Sequence, residues 1–242
     1  MNQKYDISGF LSGLEELNLR FNETQIDQFL HYYEILMAWN TKMNLTAITE
    51  FHEVIEKHFL DSLCLVGAFP EPDGKKILDL GTGAGFPGIP LKIAFPEAEI
   101  LLMDSLKKRL MFLDQVIREL ELKKIRTAHG RAEEMARKKE YRQNFDFCVS
   151  RAVSNLTVLS EYCIPFVKKG GYFVSYKSSE VDCEVREAEK AITVLGGSLE
   201  CIVKFQLPGS GSGRSLVCIK KDRDTPGTYP RKAGTPARNP II

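Results

Sequence analysis

The chain has 242 residues, 43% of them hydrophobic, and a formal net charge of +1. That is enough apolar material for one α/β domain with an appendage, or for two small domains. No apolar run approaches the roughly 20 residues that span a bilayer, and no apolar signal region opens the chain, so a cytoplasmic protein with no membrane partner is expected.

Charge is unevenly placed. From Lys220 onward there are six basic and two acidic residues (+4), which leaves −3 for residues 1–219. The tail is a basic end on a slightly acidic body. The six cysteines (Cys64, Cys148, Cys163, Cys183, Cys201, Cys218) form no CxxC and no zinc-ligand spacing with a histidine. They are expected to be reduced and buried, and no metal site is expected.

In chain order, residues 6–20 and 24–43 read as amphipathic helices. In the second, Ile26, Phe29, Leu30, Tyr33, Leu36, Met37 and Asn40 step by three or four, with Thr24 as a candidate N-cap. A third helix is expected over 50–66. His58, Asp61 and Ser62 invite a triad reading, but on a helix they share one face and cannot surround a carbonyl. They are read as hydrogen-bonded helix surface. Trp39, Asn40 and Asn44–Thr46 are read as packing and turn residues. Residues 1–68 thus form a helical extension, 69–221 the main domain and 222–242 the tail.

From Lys76 the pattern changes. Ile77, Leu78 and Leu80 form a short apolar run closed by glycines, as in a strand of a parallel sheet. Gly81, Gly83 and Gly85 follow at alternate positions, and Ile89, Leu91, Ile93 and Ala94 suggest a helix with Pro87 and Pro90 in its first turn. Two cofactor readings are open. Gly83, Gly85 and Gly88 spell GxGxxG, the dinucleotide fingerprint. Gly81, Gly83 and Gly85 after Asp79 resemble the S-adenosylmethionine loop of class I methyltransferases. Both predict a second strand ending in an acid that holds ribose hydroxyls, and Glu99–Asp104 supplies it.

A helix over 107–122 follows, whose basic start (Lys107, Lys108, Arg109) is read as exposed surface, with RNA phosphate contact as the alternative. A strand over 125–128 leads to Ala132 and Glu133, near the adenine end of a nucleoside cofactor, although Glu133 equally suits a cap of the next helix. A strand over 145–151 ends at Arg151 on the crevice. A helix over 156–167, a strand over 172–176 ending at Lys177, and a helix over 180–195 come next. Strands over 199–206 and 215–219 have no helix between them, which favours a seven-stranded methyltransferase sheet over a plain dinucleotide fold. The last 21 residues are expected to be irregular and mobile when free.

No GxxxxGK[ST] and no HExxH is present. The fourth strand ends in Ser150-Arg-Ala-Val153, which is neither an amino-methylation motif nor a cysteine nucleophile. A substrate that is already nucleophilic, such as guanine N7, needs no base there.

The stretches WNTKMNLTAIT (39–49), EKHFLDSL (56–63), DLGTGAGFPGIPL (79–91), MDSLKKRLMFL (103–113), GRAEE (130–134), SRAV (150–153) and YPRKAGTPARNP (229–240) occur in order over most of the chain. Together they resemble the RsmG, or GidB, family of bacterial 16S rRNA methyltransferases. The resemblance implies a class I methyltransferase fold, a Rossmann-like seven-stranded mixed sheet with an N-terminal helical extension. It implies methylation of guanine N7 at position 527 of 16S rRNA, with the RNA free or in the small subunit. Cofactor contacts carried over are Gly81, Gly83, Gly85, Phe86, Asp104, Ser105, Leu106, Ala132, Glu133 and Arg151. Arg214, Arg231, Lys232 and Arg238 are candidates for RNA contacts. The competing readings are a nicotinamide oxidoreductase, which lacks a hydride-transfer residue set, and a non-catalytic RNA-binding assembly factor on the same fold.

Overall fold

The computed structural model describes residues 4–151 and 153–242; residues 1–3 of the N-terminal segment and Ala152 of the SRAV stretch lie outside them. The sheet comprises β1 (Lys76–Leu80), β2 (Glu99–Asp104), β3 (Ile125–His129), β4 (Phe145–Arg151), β5 (Val167–Ser178), β6 (Gly197–Gln206) and β7 (Gly213–Lys221). Its order is β3-β2-β1-β4-β5-β7-β6. β1 to β5 run parallel, and β7 is antiparallel to both β5 and β6. The late strand pair with no helix between its members is present as read. Chain order reverses between β1 and β4, which opens a crevice at the carboxyl ends of these strands.

β1 is buried on both faces. Leu78 and Leu80 pack with Leu101, Met103, Cys148 and Phe173 on one side, and Ile77 packs with Ile100, Leu102, Phe147 and Val149 on the other. This is period-two alternation in a strand covered twice. The second side is roofed by the N-terminal helices α1 (Ser8–Glu16) and α2 (Glu23–Met43), whose Phe10, Phe29, Tyr32 and Leu36 join the same core.

α2 starts two residues earlier than Thr24 implied. Asn22 and Gln25 form a reciprocal capping box, which satisfies two orphan N–H groups at once. The third helical segment is continuous but irregular. It runs through α3 (Phe51–Val54), a π-helical turn (Ile55–Leu60), α4 (Asp61–Leu63) and a 3₁₀ turn (Cys64–Gly67). The π turn carries His58, and such turns recur at functional sites.

The remaining helices are α5 (Gly88–Ala94), α6 (Lys107–Glu119), α7 (Ala132–Met135), α8 (Leu156–Cys163), α9 (Asp182–Val194) and α10 (Thr235–Arg238). Two expectations need correction. Cys183 and Cys201 are exposed, while the other four cysteines are buried and all six are free. Cys183 lies on α9 and Cys201 on β6, the edge strand, so neither position is covered on both sides.

The tail is irregular as expected, apart from α10, but it docks on the body. Arg142 donates to the carbonyls of Thr225 (2.8 Å) and Tyr229 (2.9 Å), and Lys190 donates to the Ile242 carbonyl. Lys221 is buried, bound to the carbonyls of Ile164 and Leu195 and to the Thr225 hydroxyl, and burial lowers its ammonium to about 7. A tail that satisfies buried donors of the body is held by the same hydrogen bonds that a fold uses elsewhere.

Candidate functional site

A cavity of about 540 Å³ opens at the carboxyl ends of β1, β2 and β4, within the range of small-molecule sites. Leu80, Gly81, Thr82, Gly83, Ala84 and Phe86 form one wall, Met103, Asp104 and Ser105 a second, and Gly130 to Glu133 a third. Arg151 and Val153 close it from β4.

The glycine loop is pinned on three sides. The N–H groups of Gly81 and Thr82 donate to the Met103 carbonyl of β2 (2.9 and 3.2 Å). The Tyr32 hydroxyl of α2 donates to the Ala84 carbonyl. Buried Asp79 accepts from the Thr82 hydroxyl (2.7 Å) and the Gly88 N–H (2.8 Å), tying the loop to the start of α5. Burial pushes the Asp79 carboxyl up to about 7, and among the described residues its Oδ1 has no partner.

Two of the glycines do different work. Gly83 has φ +61°, and a Cβ there would meet only the Gly81 carbonyl at 3.9 Å, so this backbone faces open space at the cavity wall. Gly85 has φ +96°, and its Cβ would strike Ile89, the Tyr32 hydroxyl and Leu113 at 2.6–2.9 Å. Gly85 therefore serves packing, and it does not line the cavity.

Asp104 is buried at the cavity floor. Its Oδ1 accepts from the Leu106 N–H (2.9 Å), and its Oδ2 accepts from the Gly83 N–H and Arg109 (both 3.1 Å). A carboxylate offers about four acceptor positions. Three are taken by these protein donors, so one remains open. The basic start of α6 is thus not all free surface, because Arg109 pairs with Asp104. Leu106 takes part through its N–H; its side chain is exposed outside the cavity.

Glu133 is buried, and its Oε1 accepts from the Gly234 N–H at 2.8 Å. Among the described residues its Oε2 has no hydrogen-bond partner. Ala132 stands beside it on the wall.

The other end of the cavity is built from residues 90 positions apart. Phe86 stacks on His58 (centroids 4.4 Å, planes 20° apart), and the Arg151 guanidinium lies 5.1 Å from the Phe86 ring. Arg151 donates to Asp61 (2.7 Å), to the Lys57 carbonyl (3.1 Å) and to His58 Nδ1 (3.3 Å). His58 Nδ1 also lies 3.2 Å from the Lys57 carbonyl, and Nε2 lies 2.8 Å from the Thr46 hydroxyl, so both ring nitrogens are engaged. Burial, then the Arg151 charge, lowers His58 to about 3. It is neutral at physiological pH. Asp61 also pairs with Arg214 (3.3 Å).

His58 and Asp61 were read as helix surface. Asp61 is instead buried and His58 half-buried, and together they link the N-terminal segment to β4. Thr46 and Leu45, read as turn residues, line the cavity. Lys177 does not face this cavity. It pairs with Glu184 and, with His58, Asp61, Arg151 and Arg214, lines a neighbouring groove of about 390 Å³. Arg231, read as an RNA contact, is engaged with Glu161.

The cavity fits a nucleoside cofactor on three counts: a side-chain-free backbone wall at Gly83, an acceptor position on Asp104, and an unpartnered oxygen on Glu133. Among the described residues no group of three or more potential metal ligands is present, and no helix is long and apolar enough to cross a membrane.

Comparison with known proteins agrees with this geometry. Residues 25–213 match the family model GidB, described as rRNA small subunit methyltransferase G. A ribosomal RNA small subunit methyltransferase G from Lachnoclostridium phytofermentans is 55% identical over 98% of both chains. One from Clostridium novyi is 49% identical over 98% of this chain and 97% of its own length. Among solved structures, TrmN from Thermus thermophilus superposes with a TM-score of 0.52 at 15% identity, over 67% of this chain and 48% of that one. M. jannaschii TYW2 in complex with AdoMet gives 0.51 at 13% identity, over 64% and 72%. These two likenesses establish the fold alone: the seven-stranded mixed sheet of the class I methyltransferases. By the family model and by relatives of about half-identical sequence, the chain belongs to the rRNA small subunit methyltransferase G (GidB) family.

Proposed function

We propose that this chain transfers the methyl group of S-adenosylmethionine to N7 of a guanine in 16S ribosomal RNA, at position 527 by the family resemblance. The observation that carries this reading is the cavity at the β1/β4 reversal, walled by Gly83 and floored by Asp104, in a chain of this family.

When bound, S-adenosylmethionine supplies an electrophilic methyl group on a sulfonium. Asp104 holds the ribose hydroxyls, Ala132 and Glu133 the adenine end, and the backbone at Gly81 and Gly83 lets the methionine part lie against the loop. Phe86 and Arg151 fix the mouth. Methylation at N7 uses a lone pair the base already has, so no proton leaves before attack. The cavity agrees with that requirement. His58, its one imidazole among the described residues, is held neutral with both ring nitrogens engaged by protein groups, and Asp104 and Glu133 have binding roles. Catalysis then rests on alignment of nitrogen, methyl carbon and sulfur.

The groove beyond His58 and Arg151 supports an approach for the target nucleotide. It shares both residues with the cofactor cavity and carries Lys57, Lys177 and Arg214. Lys232 and Arg238 remain candidates for phosphate contact from the tail. Residues 1–68, 69–221 and 222–242 are proposed as helical extension, catalytic domain and tail.

The test is mass mapping of 16S rRNA from cells with and without the gene. Loss of a single N7-methylguanosine supports the reading. Retention of every methyl group refutes it and leaves the assembly-factor alternative.

A further inference from the structure

The tail reaches the cofactor cavity, and it does so through a carboxylate. Glu161 on α8 is 1% exposed. Arg231 closes on it with its N–H (2.7 Å), Nε (3.0 and 3.1 Å) and Nη2 (2.6 Å). A bidentate pair around a buried carboxylate fixes position as well as charge. Three residues later the chain turns through Gly234 at φ +78°, and the Gly234 N–H donates to Glu133 Oε1. Glu133 lines the cavity. One of its oxygens is therefore held by the tail and the other is left for a ligand.

We propose that residues 229–238 act as a clasp on the cofactor site, in which the Arg231–Glu161 pair sets the loop that orients the Glu133 carboxylate. This rests on Glu133 belonging to the cofactor site. Arg231 is then a positioning residue, acting through Gly234 and Glu133. The basic character of the tail is partly internal, since Arg231 is spent on Glu161.

The test uses the full-length chain with Arg231→Ala, Arg231→Lys, Glu133→Ala and the Arg231→Ala/Glu133→Ala double variant. Affinity for S-adenosylmethionine is read by calorimetry, KM for cofactor and for RNA by methylation, and folding by thermal unfolding. Arg231→Ala should raise the cofactor Kd and KM about three- to tenfold, the worth of one oriented hydrogen bond to a carboxylate. KM for RNA should not change. Arg231→Lys should recover part of the loss. In the Glu133→Ala background the Arg231 substitution should have no further effect on cofactor binding, because the route is already cut. Should Arg231→Ala fail to fold, Glu161→Gln weakens the same pair with the carboxylate shape kept, and the same readouts apply.

A folded Arg231→Ala chain with unchanged cofactor Kd overturns the clasp, as does full additivity in the double variant. A raised KM for RNA with normal cofactor binding also overturns it and makes the tail an RNA arm. A wild-type chain that binds no S-adenosylmethionine refutes the function proposed above and the clasp with it.

Discussion

Alanine at position 83 and alanine at position 85 should separate cofactor binding from folding. Both glycines have positive φ and they are two residues apart, but their surroundings differ. At 83 the backbone is near the left-handed region, and the new methyl meets only a carbonyl at 3.9 Å. The expected loss is the conformational term alone, about 1–2 kcal/mol. For a chain of this size that lowers Tm by about 2–8 °C. The methyl stands at the cavity wall, where the cofactor must approach backbone, so affinity for S-adenosylmethionine should fall at least tenfold, about 1.4 kcal/mol. At 85 the methyl strikes three neighbours at 2.6–2.9 Å, two of them core side chains and one the hydroxyl that pins the loop. Backbone strain of about 1–3 kcal/mol adds to overpacking of about 1–3 kcal/mol. The backbone cost is common to both sites, so the Gly85→Ala chain should be the less stable of the two by the overpacking alone, about 1–3 kcal/mol. Differential scanning fluorimetry and calorimetry on both variants decide it. A Gly83→Ala chain that binds like wild type, or a Gly85→Ala chain as stable as Gly83→Ala, refutes the division of labour.

Asp104→Ala removes the proposed acceptor for the ribose and the partner of Gly83 N–H and Arg109, so cofactor Kd should rise by more than tenfold; unchanged affinity by calorimetry would sink the assignment. His58 is lowered to about 3 by burial and Arg151, below its unfolded value near 6.5. The stability it contributes is present above pH 6.5 and is lost as pH falls toward 3, about 2 kcal/mol of it by pH 5. Asp79, raised to about 7, acts in the opposite direction over the same range, but it does so in both proteins. His58→Gln should therefore lose less stability than wild type between pH 7 and 5 in urea titrations, and equal slopes would refute it. Arg214→Ala should weaken RNA binding and reduce the salt slope by about 0.7–0.9 with cofactor Kd unchanged; an unchanged slope would remove Arg214 from the RNA face.

The strand, glycine loop and second-strand acid were legible because they are local. Apolar runs, turn glycines and a carboxylate at a strand end are written within 30 residues. What was not legible depends on contacts between distant segments. The second-helix pattern named Tyr33 for the buried face, yet Tyr32 is the residue that is fully buried and holds the loop. Neighbouring tyrosines on a helix cannot be ranked until the partner surface is known. His58 and Asp61 share a helix face, as spacing implied, but that face meets Arg151 rather than water. Tail docking depends on Arg142, Glu161 and Glu133, none of which signals a partner 70–100 residues away. The GxGxxG reading through Gly88 is also explained: the Gly88 N–H is committed to Asp79 below the loop and does not line the cavity.

The most direct test of the central claim is transfer itself. Purified chain, small-subunit RNA or particle, and S-adenosylmethionine labelled in the methyl group are incubated, and the RNA is digested and sequenced by mass. The account predicts label in one N7-methylguanosine of 16S rRNA, with none when Asp104→Ala replaces the wild-type chain. Label on another base or atom, or no transfer by a chain that binds the cofactor, would contradict it.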